Sequence, residues 1–297
     1  MPATLSHLGV QTLFSKILYR DADLKWIALG CVIPDLPWIA QRLIPKILPG
    51  VDLYDLRLYC IIQASLIFCL ILSAAVSLQV RERRKIFALL SLNCLLHLLL
   101  DAMQIKLANG VHLLAPFSWE LLKFNLFWPE DSISYLLMGS GLVLFIFFGF
   151  RERNQEIRLI IDKKSMPIGM ILLLIYLAAP MLFLQGPLKA NNHFIATLSE
   201  PSTRTGKPIE LDRCTYDSST GKVTTFNHEP IDLNYTPLPK VSATISIKGF
   251  FSSPQTIKVE TLHLHHPGYR DIGVLLGLLF ILLLWLIAIV RKRVTIR

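Results

Sequence analysis

The sequence between residues 93 and 101 places three polar side chains on one face of an otherwise apolar helix. Asn93, His97 and Asp101 recur at every fourth residue, and residues with this spacing lie above one another on a helix. An ionisable side chain inside a membrane costs about 2.5–3.5 kcal/mol on insertion scales and usually faces the interior of a bundle. Two explanations remain open: ligands for a divalent ion, or hydrogen bonds between packed helices.

The composition of the chain indicates an integral membrane protein. Its 297 residues are 53% hydrophobic and 17% charged, with a mean hydropathy of +0.51, which is too apolar for a water-soluble core alone. The net charge of +9 comes from short basic runs beside apolar segments, at residues 81–85, 151–164 and 291–293. This pattern is typical of cytoplasmic loops and not of nucleic-acid binding.

Apolar runs predict a multi-pass bundle of six to seven helical segments. They lie at about residues 5–19, 24–43, 57–79, 86–103, 132–150, 167–185 and 271–290. One alternating topology puts every basic run and the C-terminus in the cytoplasm, with residues 104–131 and 186–270 outside. The first segment is short and polar enough to be a partial span. Pro34 and Pro37 predict a kink or break in the second segment, beside Asp35.

Residues 186–270 change in character and predict a small all-β domain inserted between the last two spans. Candidate strands lie at 193–198, 208–216, 222–226, 240–247 and 256–265, separated by turn signals. Five short strands are compatible with an OB-like barrel, with Gly249 where a strand bends, or with a β-sandwich. The external location and the lack of a dense basic and aromatic surface argue against nucleic acid as a partner.

Two earlier polar residues fall on the same side of the membrane as Asp101 in this topology. His7 begins the first segment, and Asp35 lies in the outer half of the second. The four side chains could therefore meet near the external face. Taken singly, His7 could be an interfacial terminal residue and Asp35 a helix cap.

Four sequence motifs, in their order and spacing, resemble those of the bacterial membrane-bound metal-dependent hydrolases, a family of inner-membrane hydrolases related to zinc-dependent phospholipase C. They are Ser6-His7, Ile33-Pro34-Asp35, His97 to Asp101, and residues 110–118. The resemblance covers about the first 150 residues. It implies a divalent ion, zinc, held by His7, Asp35, His97 and Asp101, and cleavage of a phosphoester or lipid-derived substrate in the bacterial inner membrane. Such an ion activates water and polarises a phosphoryl oxygen.

The sequence departs from this family at the start of the third segment. The family carries a motif resembling His-Arg-Gly-x-Thr-His-Ser, whereas residues 56–65 keep Arg57 and Ser65 and lack both histidines. The chain could hold a single metal, use Gln63 or Asp55 as a substitute, or have lost catalysis. The alternative function is a non-catalytic membrane protein whose external β domain binds a protein or envelope component. A transporter is a third hypothesis.

The predicted domain organisation follows from these assignments. A helical domain covers residues 1–150, a basic loop and span 151–185, the external β domain 186–270, and a final span with a basic tail 271–297.

Further histidines could bind metal outside the main constellation. His263 and His265 would share one face of a strand, although no third ligand is near in sequence, and a wet strand end explains them equally well. His112 could be an extra ligand or a solvated loop residue. The five cysteines show no CxxC spacing, so we expect neither a disulfide framework nor a zinc-thiolate site.

Overall fold

A computed structural model describes residues 3–152, 158–161, 164–266, 268–290 and 293–296. Its α-helices are α1 (Thr4–Leu18), α2 (Leu24–Val32), α3 (Leu36–Ile47), α4 (Leu53–Gln63), α5 (Leu66–Ser77), α6 (Arg83–Met103), α7 (Ser132–Glu152), α8 (Ser165–Ala178), α9 (Gln185–Lys189), α10 (Ile195–Ser199) and α11 (Tyr269–Val290). Its strands are β1 (Arg158–Ile161), β2 (Pro208–Asp217), β3 (Lys222–Thr224), β4 (Pro230–Asn234), β5 (Ala243–Ser253), β6 (Thr256–His265) and β7 (Arg293–Ile296).

Among the described residues, five helical segments are long and apolar enough to cross a membrane. They are Leu24–Ile47, Arg83–Met103, Ser132–Arg151, Ser165–Lys189 and Arg270–Val290. A sixth candidate is the pair α4 and α5, which the sequence predicted as one continuous segment at 57–79. The structure bends this pair by 69°, because Ser65 takes an extended backbone conformation between the two helices. No glycine or proline marks the bend.

The second segment changes its helical form next to its prolines, where the sequence predicted a kink or break. A short 3₁₀ turn, Ile33–Asp35, joins α2 to α3. Asp35 stands at the N-terminus of α3, but its side chain makes no capping hydrogen bond. The carboxylate is therefore available for contacts with other elements.

The two ends of α6 separate the segments that the sequence placed on opposite sides of the membrane. After the C-terminal end, the Ala108 amide donates to Glu210 Oε2 at 2.8 Å, which joins the loop at 104–131 to the β domain. At the N-terminal end, Lys85 pairs with Asp21. The grouping is compatible with the alternating topology.

The inserted domain is a closed five-stranded barrel with the strand order β2-β3-β4-β6-β5. Strands β4 and β6 pair in parallel, and the other neighbours pair antiparallel. The register shifts beside Gly249, where a Cβ atom would lie 2.1 Å from the Lys258 carbonyl oxygen. Only glycine allows this close approach of two strands.

The predicted strand boundaries are partly wrong. Residues 193–198 form the 3₁₀ turn Asn192–Phe194 and helix α10, because His193 and Phe194 adopt left-handed backbone conformations that a strand cannot accommodate. Strand β4, which closes the barrel, was not predicted. The observed barrel is one of the two β architectures that the sequence predicted, and the sandwich is not observed.

Helix α1 lies against α7 at a contact between two glycines. A Cβ atom on Gly141 would lie only 1.9 Å from the Leu5 carbonyl oxygen, and one on Gly9 would lie 2.4 Å from the Gly141 Cα atom. On another side, Ser15 and Asn93 hydrogen bond α1 to α6. Because α1 is held between these neighbours, the position of His7 is fixed by packing.

Candidate metal centre

Three elements bring together the four residues that the sequence singled out as metal ligands. Helix α1 supplies His7, the 3₁₀ turn supplies Asp35, and α6 supplies His97 and Asp101. His7 Nε2 is 3.5 Å from Asp101 Oδ1. His97 Nε2 is 3.5 Å from Asp35 Oδ1 and 3.9 Å from Asp101 Oδ2. The side chains of all four residues therefore converge at the end of α6 that faces the barrel.

Most of the polar atoms of this cluster are buried without a hydrogen-bond partner. Both ring nitrogens of His7 and of His97 lack a hydrogen-bond partner, as does Asp35 Oδ1, whereas Asp101 Oδ1 is in ion-pair contact with Lys106. His7 and His97 are at most 1% exposed. Each buried polar group without a partner costs about 1–3 kcal/mol, so such a concentration requires an explanation, of which a bound ion is one.

The donor set at this site fits a metal ion. His7, His97 and Asp101 each offer a ligand atom, and these atoms lie within 4.8 Å of one another, so this group could hold a metal. Asp35 lies outside that group of three but contacts His97. Two imidazoles with carboxylates are a common ligand set for zinc and other divalent transition metals.

The two imidazole rings are stacked, with centroids 3.8 Å apart and planes 7° from parallel. Two imidazolium cations would repel each other at this separation, so the stack is compatible with at most one protonated ring. Lys106 Nζ lies 3.2 Å from Asp101 Oδ1 and offsets one of the two carboxylate charges. The remaining negative charge favours a cation.

Asn93, the third polar residue on this face of α6, forms hydrogen bonds between packed helices. Asn93 Nδ2 donates to Ser15 Oγ at 3.0 Å and to the Leu89 carbonyl oxygen at 2.7 Å. Asn93 therefore joins α1 to α6, while the other two residues on the same face reach the cluster.

The candidate substitutes for the missing histidines form other contacts. Gln63 Nε2 donates to Tyr59 Oη at 2.9 Å and to the Tyr176 carbonyl oxygen at 3.2 Å, so it joins α4 to α8. Asp55 is exposed in the first turn of α4. The packing role expected for Gln63 agrees with these contacts, whereas Asp55 is a surface residue of a helix and not of a loop.

A second group that could hold a metal consists of Glu130, His263 and His265. The sequence identified the histidine pair on β6 but not Glu130, which lies more than 130 residues earlier in the chain. His263 stacks on Trp128, with centroids 3.6 Å apart. Glu130 Oε2 and His263 Nε2 are 3.6 Å apart, and both are buried without hydrogen bonds.

Hydrogen bonds already engage the other atoms of this second group. His265 Nδ1 lies 2.6 Å from Glu130 Oε1, and its Nε2 lies 2.7 Å from Ser246 Oγ. Arg213 Nη1 is 3.3 Å from Glu130 Oε1 and supplies a cation. Glu130 therefore connects the loop at 104–131 to the barrel. A metal ion bound here would have to displace Arg213 or the proton between His265 Nδ1 and Glu130 Oε1.

We expect Glu130→Gln to weaken this attachment in a pH-dependent way. Burial alone would raise the pKa of Glu130, but the hydrogen bond and charge of His265, together with Arg213, lower it to about 2. A carboxylate whose pKa is depressed in the folded state contributes stability above its unfolded pKa of about 4.3 and loses that contribution as the pH falls towards 2. The variant should lose about 1.5–3 kcal/mol at neutral pH, and its stability should vary less between pH 4.5 and pH 2.

Thermal unfolding of the detergent-solubilised protein across this pH range measures the effect. The control is Glu120→Gln, because Glu120 is exposed in the same loop. Equal pH profiles for wild type and Glu130→Gln would contradict the assignment.

Comparisons with known proteins give no match: no family model matches the sequence, and no curated protein or solved structure matches it either.

Proposed function

We propose that this chain is a membrane-embedded, metal-dependent hydrolase that acts on a phosphoester or lipid-derived substrate near the external face of the bacterial inner membrane. One observation carries the proposal. Two imidazoles and two carboxylates from three separate elements converge in a buried cluster, and their ring nitrogens have no hydrogen-bond partner. The motif resemblance supplies the reaction class.

His7, His97 and Asp101 would hold the ion, proposed to be zinc, with Asp35 beside His97. When bound, the ion would lower the pKa of a water molecule and offset charge on a phosphoryl group. Asp35 Oδ1 lies 3.5 Å from His97 Nε2, so it either completes the ligand set or accepts a proton during hydrolysis. The missing histidines at 56–65 favour a single ion.

The location of the cluster supports access from the outer side. It lies at the C-terminal end of α6, the end at which the loop at 104–131 contacts the barrel. In the proposed orientation the C-terminus is cytoplasmic, so this end of the bundle faces outward. The proposed substrate would therefore belong to the adjacent leaflet or the external phase.

The alternative proposal is a non-catalytic membrane protein with the same scaffold. The closed barrel supports an OB-like interpretation of residues 186–270, and barrels of this class bind varied ligands on their strands and loops. In that case the external domain binds a protein or envelope component.

Metal analysis combined with an activity assay separates the two proposals. The full-length protein is purified in detergent, its metal content is measured by mass spectrometry, and hydrolysis of a short-chain phospholipid and an aryl phosphate is followed. We expect about one divalent ion per chain, with activity that is lost on chelation and restored by zinc. Protein that contains no metal, and that gains neither metal nor hydrolysis on reloading, would support the non-catalytic alternative.

A further inference from the structure

A second cluster of buried histidines surrounds Arg57, between the helical bundle and the barrel. His193, in the 3₁₀ turn before α10, accepts a hydrogen bond at Nδ1 from Arg57 Nε at 3.3 Å. The ring of His112 is 5.6 Å from that of His193, and the Trp38 ring also stacks on His193, at 5.8 Å. We call Arg57, His112 and His193 the Arg57 cluster. The sequence did not identify His193 as a site residue.

The tautomer of His193 follows from its contact with Arg57. A guanidinium group only donates, so His193 Nδ1 must accept and carry no proton. Burial lowers the pKa of His193 well below its usual value, and the charges of Arg57, His112, Lys123 and Lys106 act in the same direction. The neutral ring therefore carries its proton on Nε2, which is buried without a partner. This is an N–H donor that lacks an acceptor.

His112 presents a second ring nitrogen without a partner. Burial, and then the charge of Lys123, lower the pKa of His112 to about 4, against the opposing effect of a hydrogen bond with Asn192. Its Nε2 is buried without a hydrogen bond. His112 and His193 are each 5% exposed, so neither ring is a solvated loop side chain.

The electrostatics of the Arg57 cluster favour an anion over a metal ion. Among the residues that the structure describes, Arg57 has no carboxylate in ion-pair contact. It instead donates to Asn109 Oδ1 at 3.3 Å and lies over the Phe226 ring at 4.4 Å. Asp212 is connected to Arg57 only through Asn109, whose Nδ2 donates a hydrogen bond to the Asp212 carboxylate at 2.8 Å. A half-buried guanidinium without a carboxylate partner is a typical recognition group for phosphate.

The two lysines near the cluster have acidic partners of their own. Lys123 lies 3.9 Å from Glu210, and Lys106 lies 3.2 Å from Asp101 of the candidate metal centre. Lys106 therefore contacts the metal centre and also contributes to the field at His193. The two clusters are electrostatic neighbours.

The backbone around His193 is strained. Asn191, His193 and Phe194 have φ values of 52°, 55° and 56°, in the left-handed region that residues other than glycine rarely adopt. Each costs of order 1–3 kcal/mol, and such strain persists where the surrounding structure enforces it, often at functional sites. Here Asn192 Nδ2 donates to the Trp119 carbonyl oxygen and Asn191 bonds Thr197, which fixes the orientation of His193.

We propose that the Arg57 cluster binds a phosphate-type oxyanion, with His193 Nε2 as the donor and His112 as the neighbouring ring. The Arg57 guanidinium lies against Nδ1, on the opposite edge of the His193 ring, and contributes positive charge to the site. The anion is either free phosphate or the phosphoryl group of a substrate. A role for the cluster in binding the phosphoryl group of a hydrolase substrate rests on the proposed function. Binding of an anion to the cluster can be tested without metal.

The test measures phosphate binding by the full-length protein in detergent with metal removed by chelator. Inorganic phosphate and glycerol phosphate are titrated calorimetrically into wild type and His193→Asn. Asparagine tolerates the left-handed backbone but lacks the reach of the imidazole. We expect the variant to bind at least about tenfold more weakly, the loss of one charge-assisted hydrogen bond. Binding of glycerol phosphate identifies a phosphoryl ester as the ligand, and binding of inorganic phosphate alone identifies the free anion.

His228→Asn is the matched control. His228 also has a left-handed backbone, with φ of 65°, but it is exposed on the barrel, so its replacement should leave binding unchanged. A second readout needs no variant: phosphate should raise the pKa of His112 and His193 in wild type, as followed by histidine NMR. Absence of phosphate binding, or equal affinity in His193→Asn and wild type, would overturn the proposal. Because metal is absent throughout, neither result bears on the metal centre.

Discussion

Replacement of His97 by alanine is expected to abolish both metal binding and hydrolysis. The His97 ring contacts Asp35, Asp101 and His7, so the substitution removes the central donor of the cluster. Hydrolysis should fall by at least about 100-fold, since a metal centre supplies several kcal/mol of stabilisation to the transition state. Metal content per chain and turnover of a short-chain phospholipid measure the two effects.

Chelation gives an independent readout of the same prediction. An ion that binds only the folded state stabilises it by about 2.7 kcal/mol at a free concentration 100 times its Kd. The unfolding temperature of wild type should therefore fall when metal is chelated, and that of His97→Ala should not change.

The matched control for His97→Ala is Asn93→Ala, one turn earlier on the same face of α6. Asn93 bonds Ser15 and the Leu89 carbonyl oxygen, so this variant should lose about 1–3 kcal/mol of stability and keep its metal. The metal assignment is wrong if His97→Ala retains the ion, or if Asn93→Ala loses it to the same extent.

Replacement of Arg204 by methionine is expected to destabilise the barrel by about 3–5 kcal/mol, the usual cost of breaking a buried ion pair. Arg204 is 1% exposed. It binds both carboxylate oxygens of Glu229, at 2.6 Å and 2.7 Å, and donates to the carbonyl oxygens of Thr197, Leu198 and Pro254. The variant would leave Glu229 without its partner and would remove one donor from each of three carbonyl groups, of which Leu198 keeps the Tyr54 hydroxyl as a donor.

Hydrogen exchange of the full-length protein, followed by mass spectrometry on peptides from residues 208–265, measures the loss. Lys207→Met is the control, because Lys207 is exposed near Arg204 and its replacement should change stability by no more than about 0.5 kcal/mol. Exchange as slow in Arg204→Met as in Lys207→Met would contradict the prediction.

The sequence predicts those parts of the fold that depend on local pattern. Long apolar runs such as Arg83–Met103 and Arg270–Val290 are visible because lipid requires continuous hydrophobicity. The first half of strand β6 alternates in burial, so the period of a strand can be recognised there in the sequence. The 69° bend between α4 and α5 is not readable, because neither Gly nor Pro occurs there. Strand β4 has only five residues, and its pairing with β6 is set by the closure of the barrel.

The candidate site divides in the same way. The spacing of His97 and Asp101 on α6 is a local signal, whereas the positions of His7 and Asp35 beside them depend on how α1 and the 3₁₀ turn pack. Glu130 and His193 could not be identified, because their partners are distant in the chain. Arg204 follows a Pro-Ser-Thr turn, and nothing in that context distinguishes a buried arginine from a solvated one.

The packing of α1 has a consequence for the order in which the protein assembles. At 15 residues the helix is about 22 Å long, which is short for a hydrocarbon core of roughly 30 Å. Its buried face carries Ser6, His7, Gln11, Thr12 and Ser15, and this face needs α6 and α7 as neighbours. Both of those helices come later in the chain, so the polar side chains of α1 lack these neighbours until α6 and α7 have been synthesised. His7 is one of these side chains, so the candidate metal centre depends on packing between helices that are far apart in the chain.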